Sequence, residues 1–172
     1  MSTSMKPPRV PRSWDARFLR LAREVASWSK DPSTSVGAVA VREKRVLATG
    51  YNGLPQHVQD TQARLQDRDT RLAMTVHAEA NLIAYAARHG VCLAGSTIYV
   101  WPLMSCSNCA AVLIQSGASR VVVPDYVEPM RWQESFDRSR AMFAEAGVAV
   151  VKISMATGAG DDEQQGEAEG DP

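Results

Sequence analysis

The chain has 172 residues, enough for one domain with a substantial core, and its 45% hydrophobic content is ordinary for a globular protein. Lys plus Arg and Asp plus Glu both total 19, so no overall basic excess argues for nucleic-acid binding. No apolar run is long enough to span a bilayer, no leader pattern opens the chain, and three cysteines are too few for a disulfide framework, so a reduced, cytoplasmic protein is expected.

Residues 1–12 are polar, basic and proline-rich and read as a flexible arm. From Ser13 to Ser29 the apolar residues Trp14, Phe18, Leu21, Ala22, Val25 and Trp28 recur at helical spacing, with Ser13 as N-cap. Trp14 and Trp28 are then expected in the core or a subunit contact. "KDPSTS" breaks that helix. "VGAVAV" and "VLATGY" are strand-like and, joined by the charged turn "REKR", predict a hairpin. From Asn52 to Thr75 the chain is polar and without clear periodicity, which predicts a long functional loop.

An alanine-rich helix follows from about His77 to His89, closed by Gly90. Cys92 falls between this helix and the next strand and is expected as a small buried apolar group. "STIYV" predicts a strand, Cys106 to Ser116 a helix ended by Gly117, and "SRVVVP" another strand. A last amphipathic helix over Trp132 to Ala146 precedes the strand "VAVVKI". The order α-β-β-α-β-α-β-α-β predicts an α/β domain over residues 13–154, with a mixed five-stranded sheet and helices on both faces. The acidic, glycine-rich tail at 155–172 holds too little apolar surface to offset its ordering entropy, and disorder is expected there.

Two short stretches carry chemistry. "TVHAEANLI" puts His77 and Glu79 at the start of one helix, and "SCSNC" puts Cys106 and Cys109 at the start of another. Residues at i and i+3 share a helix face, so both cysteines can address one ion. The free amides and positive dipole end of a first turn favour thiolate over thiol. One imidazole and two thiolates make three Zn2+ ligands and leave a fourth position for water, the mark of a catalytic rather than a structural site. Glu79 projects to another side of the turn, as a proton carrier and not a ligand. His-x-Glu followed by Cys-x-x-Cys on a later helix is the pattern of zinc deaminases.

Over about Trp14 to Ile153 the chain resembles the cytidine/deoxycytidylate deaminase superfamily, most closely the deoxycytidylate (dCMP) deaminases. The resemblance rests on "SWSKDPSTSVGAVAV", "GYNGLP", "HAEANLI", "IYVWPLMSCSNCAAVLIQSG" and "MFAEAGV", in that order. It implies a three-layer α/β/α cytidine-deaminase-like fold and hydrolysis of dCMP to dUMP in pyrimidine nucleotide metabolism. It also implies a homo-oligomer, hexamer or dimer, with dCTP and dTTP as effectors. By the same likeness Asn52 contacts the sugar, a role compatible with an Asn-Gly turn. Lys30, Arg64, Arg68 and Arg71 are candidates for the phosphate, and Trp101 for the pocket wall.

The chain departs from the family pattern in two places. Ser105 stands where proline usually precedes the first cysteine; as a good N-cap it is expected to start the helix and leave the zinc site intact. Leu72-Ala73 stands where an aromatic and a proline are common. These departures keep open a 5-substituted cytidine nucleotide as substrate, a base in RNA or single-stranded DNA, or a catalytically silent, zinc-stabilised nucleotide-binding protein.

Overall fold

A computed structural model of the chain describes residues 13–155. The expected arm, and the expected tail beyond residue 155, lie outside the described residues. Helix α1 (Trp14–Ala26) starts at Ser13, whose hydroxyl accepts the Ala16 N–H at 3.2 Å. Strands β1 (Gly37–Arg42) and β2 (Arg45–Tyr51) form the predicted hairpin. Its turn residues Glu43 and Lys44 have φ of 51° and 59°, the left-handed pair that a two-residue hairpin turn requires. Helix α4 (Ala78–Arg88), strand β3 (Thr97–Trp101), helix α5 (Ser107–Gln115) and strand β4 (Arg120–Pro124) follow. A single 3-10 turn (Met130–Trp132) then leads into α6 (Gln133–Glu145) and β5 (Ala149–Ile153).

The five strands lie in the order β2-β1-β3-β4-β5. β1 pairs antiparallel with both β2 and β3, while β3–β4 and β4–β5 are parallel, so the mixed sheet is as expected. Strand alternation divides the core into two. Val39, Val41, Tyr99 and Val122 face α1 and pack on Phe18, Leu19, Ala22 and Val25. Ala38, Ala40, Ile98, Val100, Val121 and Val123 face the other way, onto Leu82 of α4, Leu113 of α5 and Phe136 and Phe143 of α6. The result is three layers, α1 on one face and α4, α5 and α6 on the other.

Two glycines set how closely helices approach this sheet. A Cβ on Gly37 would lie 2.2 Å from the Ala22 carbonyl oxygen of α1, and one on Gly50 would lie 2.3 Å from the Ala78 carbonyl oxygen of α4. The backbone of α4, and with it His77 and Glu79, is seated directly on β2.

The segment from Asn52 to Thr75 is more ordered than its polarity predicts. It contains two short helices, α2 (Gln62–Gln66) and α3 (Arg68–Met74). Five and seven residues are too few to display a helical period; caps define them instead. The Thr61 hydroxyl accepts the Arg64 N–H, and the Asp67 carboxylate accepts the Thr70 N–H at 2.8 Å. Trp14 and Trp28 are 44% and 51% exposed and so stand outside the core, and Cys92 is exposed, not buried.

Candidate active site

The N-termini of α4 and α5 converge. His77 is the N-cap of α4 and Cys106 the N-cap of α5, both in extended backbone conformation, which turns each side chain away from its own helix. Just before His77 the chain is pinned by a pair of backbone bonds between Val76 and Gly53, at 2.9 and 3.1 Å. Two residues on, Glu79 is 3% exposed. Cys109, in the first turn of α5, is also buried.

His77 Nδ1 lies 3.5 Å from the Cys106 Sγ and 3.4 Å from the Cys109 Sγ, and the three ligating atoms are all within 4.8 Å of one another. A tetrahedral zinc with ordinary Zn–N and Zn–S bonds spaces its nitrogen and sulfur ligands about 3.6 Å apart. The donor set therefore fits the ion in spacing as well as in kind. The Cys109 thiol donates to Cys106 and the His77 ring pairs with it, which holds Cys106 well below the usual thiol range. The hydrogen bond to Cys106, then burial and the nearby Glu79 carboxylate, push Cys109 up. His77 is raised by its contact with Cys106. A dication held by the three would favour the thiolate form of both cysteines.

These groups open onto a cleft of about 330 Å³ that is lined by His77, Cys106 and Glu79 and walled by Asn52, Arg71, Met104 and Trp132 among others. Asn52 is 6% exposed, its Oδ1 accepting the Val36 N–H at 2.8 Å and its Nδ2 donating to the Thr34 carbonyl at 2.9 Å. Those two bonds leave one amide hydrogen uncommitted. Arg71 also reaches the cleft, and most of its guanidinium is held within the protein: Nη2 donates to the Ser33 hydroxyl at 2.8 Å and Nη1 to the Leu65 carbonyl, while the buried Nε makes no hydrogen bond and lies 3.6 Å from the Asp31 carboxylate. It braces the wall. Arg68 lines the cleft with its side chain 73% exposed, and Leu72 lines it as well.

Other candidates stand elsewhere. Lys30 pairs with Asp60 at 2.7 Å and belongs to a neighbouring hollow of about 110 Å³ shared with Trp28 and Tyr51. Arg64 donates to the Gln59 carbonyl and does not line the cleft. Trp101 is directed to the α1 side of the sheet, where Arg23 lies 5.4 Å from its ring; β3 alternation puts Tyr99 and Trp101 on one face and Ile98 and Val100 on the other. Ser105 is fully buried, its hydroxyl has no partner, and Cys106 holds the N-cap position expected for it.

Arg131, Trp132, Leu103 and Met104 line the cleft without any signal in the sequence pattern. Leu103 and Met104 follow β3 outside any helix or strand, and Arg131 and Trp132 follow β4 in the single 3-10 turn, segments too short to show a period. Their place nonetheless obeys a rule of open α/β sheets, in which ligands bind beyond the carboxyl ends of the strands. The Met104 N–H is fixed by the Tyr126 hydroxyl at 2.8 Å.

The family described as the cytidine and deoxycytidylate deaminase zinc-binding region matches residues 12–124. The chain belongs to that family. Among members of the cytidine and deoxycytidylate deaminase family, an uncharacterized deaminase in the luxG 3′ region of Aliivibrio fischeri is 43% identical over 144 residues, 83% of this chain and 95% of that protein. The deoxycytidylate deaminase of Saccharomyces cerevisiae is 35% identical over 86% of this chain, which spans only 47% of the yeast protein. The Mus musculus deoxycytidylate deaminase is 31% identical over 82% of this chain and 80% of its own. The dCMP deaminase from the cyanophage S-TIM5, in complex with dCMP and dUMP, shares the fold with a TM-score of 0.67 at 20% identity, over 84% of this chain and 100% of that one.

Proposed function

We propose that this protein is a zinc-dependent hydrolase that converts dCMP to dUMP and ammonia. The observation that carries the reading is a nitrogen and two sulfurs at zinc-ligand spacing, beside a buried Glu79, on one cleft. The yeast and mouse relatives named deoxycytidylate deaminase, and the phage enzyme seen with dCMP and dUMP, support the substrate.

Zinc held by His77, Cys106 and Cys109 would supply the Lewis acidity that makes water a nucleophile near neutral pH. Glu79 is the proton carrier. A carboxylate oxygen takes a proton from the attacking water and delivers it to N3 of the cytosine ring as oxygen bonds to C4. The second proton then goes to the exocyclic amine, the C4–N bond breaks, and ammonia leaves. Asn52, locked by its bonds to Val36 and Thr34, offers its remaining amide hydrogen to the sugar. Arg68 and Arg131 are the exposed cations on the cleft and are assigned to the phosphate.

Deamination of a base within a polynucleotide calls for a basic groove. Of Arg64, Arg68 and Arg71, only Arg68 is both exposed and on the cleft, which favours a free nucleotide. Retention of Glu79 argues against a silent binding protein, since a structural zinc needs no proton carrier. Control by dCTP or dTTP and homo-oligomer assembly belong to the same proposal; the hollow holding Lys30 and the exposed Trp28–Tyr51 pair support them.

The test is ammonia release by zinc-loaded protein from dCMP, CMP, deoxycytidine, 5-methyl-dCMP and a cytosine-containing oligonucleotide. Preference for dCMP is expected. Activity confined to the methylated nucleotide or the oligonucleotide would overturn the substrate assignment.

A further inference from the structure

Both sulfur ligands belong to the first turn of α5, and that turn has no side-chain cap of its own. At the N-cap position, where Ser, Thr, Asp or Asn would normally accept a free amide, stands Cys106, whose sulfur is turned to His77. Its neighbour Ser105 is buried with an unpartnered hydroxyl and caps nothing. The first amide of the helix is met from another element instead. The Ser107 N–H donates to the hydroxyl of Ser135, in the first turn of α6, at 3.0 Å, and that hydroxyl donates in turn to the Ser107 Oγ at 3.3 Å.

We infer that Ser135 is a positioning residue for the metal ligands: by capping α5 from α6, it holds the Cys106 and Cys109 sulfurs at ligating distance from His77. The inference rests on the reading of His77, Cys106 and Cys109 as zinc ligands. Ser107 is the next residue after Cys106, so a loosened Ser107 amide frees the peptide unit that orients Cys106. Zinc–ligand distances in well-formed sites fall within about 0.2 Å of their usual values, so the placing of each sulfur matters. The same stretch of chain walls the cleft through Trp132 and Phe136, so the substrate wall and the metal helix share one anchor. Further along α6, Ser139 is a natural control: it is fully buried, but its hydroxyl bonds to nothing.

Zn2+ and Co2+ affinity, measured by competition with a chromophoric chelator, tests the inference together with the visible spectrum of the cobalt protein. Partners that orient metal ligands are worth about ten- to a hundredfold in affinity. Ser135→Ala should fall in that range and alter the cobalt bands, Ser135→Thr should restore both, and Ser139→Ala should leave both unchanged. Wild-type affinity and spectrum in Ser135→Ala would overturn the inference, and so would an equal loss in Ser139→Ala, which would mean general loosening of α6. The readout is metal binding. A protein whose metal affinity depends on Ser135 but which leaves dCMP untouched would therefore sink the proposed substrate and leave this inference standing.

Discussion

Glu79 is 3% exposed, beside the buried Cys109, in the first turn of α4. It is not among the three grouped ligating atoms, so its removal separates proton transfer from metal binding. Glu79→Ala should keep one zinc per chain and lose about 10² to 10⁴ in turnover. Zinc content together with dCMP turnover checks both halves, and near-normal turnover would refute the role. The grouping of His77, Cys106 and Cys109 was legible in the sequence because candidate ligands are written as spacing: His77 and Glu79 two apart, Cys106 and Cys109 three apart, each pair opening a helix. Residues whose role depends on facing were not legible. Trp101 lies shortly before Cys106 and Cys109 in sequence, yet β3 turns it to the α1 face. Lys30 lies near Asn52 in space but is drawn off by Asp60. Arg131 and Trp132 reach the cleft from a three-residue 3-10 turn at the start of the predicted last helix, and nothing in its spacing marks them as cleft residues.

Among the elements, the seating of α4 on β2 decides where His77 and Glu79 stand. Gly50 leaves no room for a Cβ, which would meet the Ala78 carbonyl oxygen at 2.3 Å and the Leu82 nitrogen at 2.5 Å. Gly50→Ala must push α4 outward; a loss of about 1–3 kcal/mol in urea unfolding is expected, with a drop in turnover because the ligand helix moves. On the opposite face α1 is tied to the sheet by charge. Asp15 makes a two-bond contact with Arg120 of β4 at 2.8 and 2.6 Å and accepts the Tyr99 hydroxyl of β3 at 2.7 Å.

The Arg120 guanidinium holds the Asp15 carboxyl below its ordinary value of 3.8. A carboxyl lowered in the folded state stabilises the fold fully above its unfolded value, and that contribution fades as pH falls through the lower folded value. Arg120→Ala should be less stable than wild type at neutral pH, and the gap should close below about pH 4 in paired urea titrations. A gap that stays constant into acid would contradict this origin. At the scale of elements the strands, the hairpin and the long helices were legible from their periods. The short α2 and α3 were not, because each spans two turns or less and is defined by its caps at Thr61 and Asp67.

For the whole molecule, a sheet with one helix on one face and three on the other brings two helix N-termini together beyond the strand ends. That juxtaposition is what the fold contributes to chemistry. The described residues include no helix long and apolar enough to cross a membrane. Charge is balanced over the chain, with exposed Arg68 and Arg131 at the cleft. Which base and sugar the cleft prefers is not written in spacing, because Leu72, Met104 and Trp132 set its shape through packing. The most direct measurement is dCMP-to-dUMP conversion by zinc-loaded protein, repeated after chelation and again after zinc is returned. Conversion should disappear with the metal and recover with it; conversion that persists in fully zinc-free protein would contradict zinc-dependent deamination.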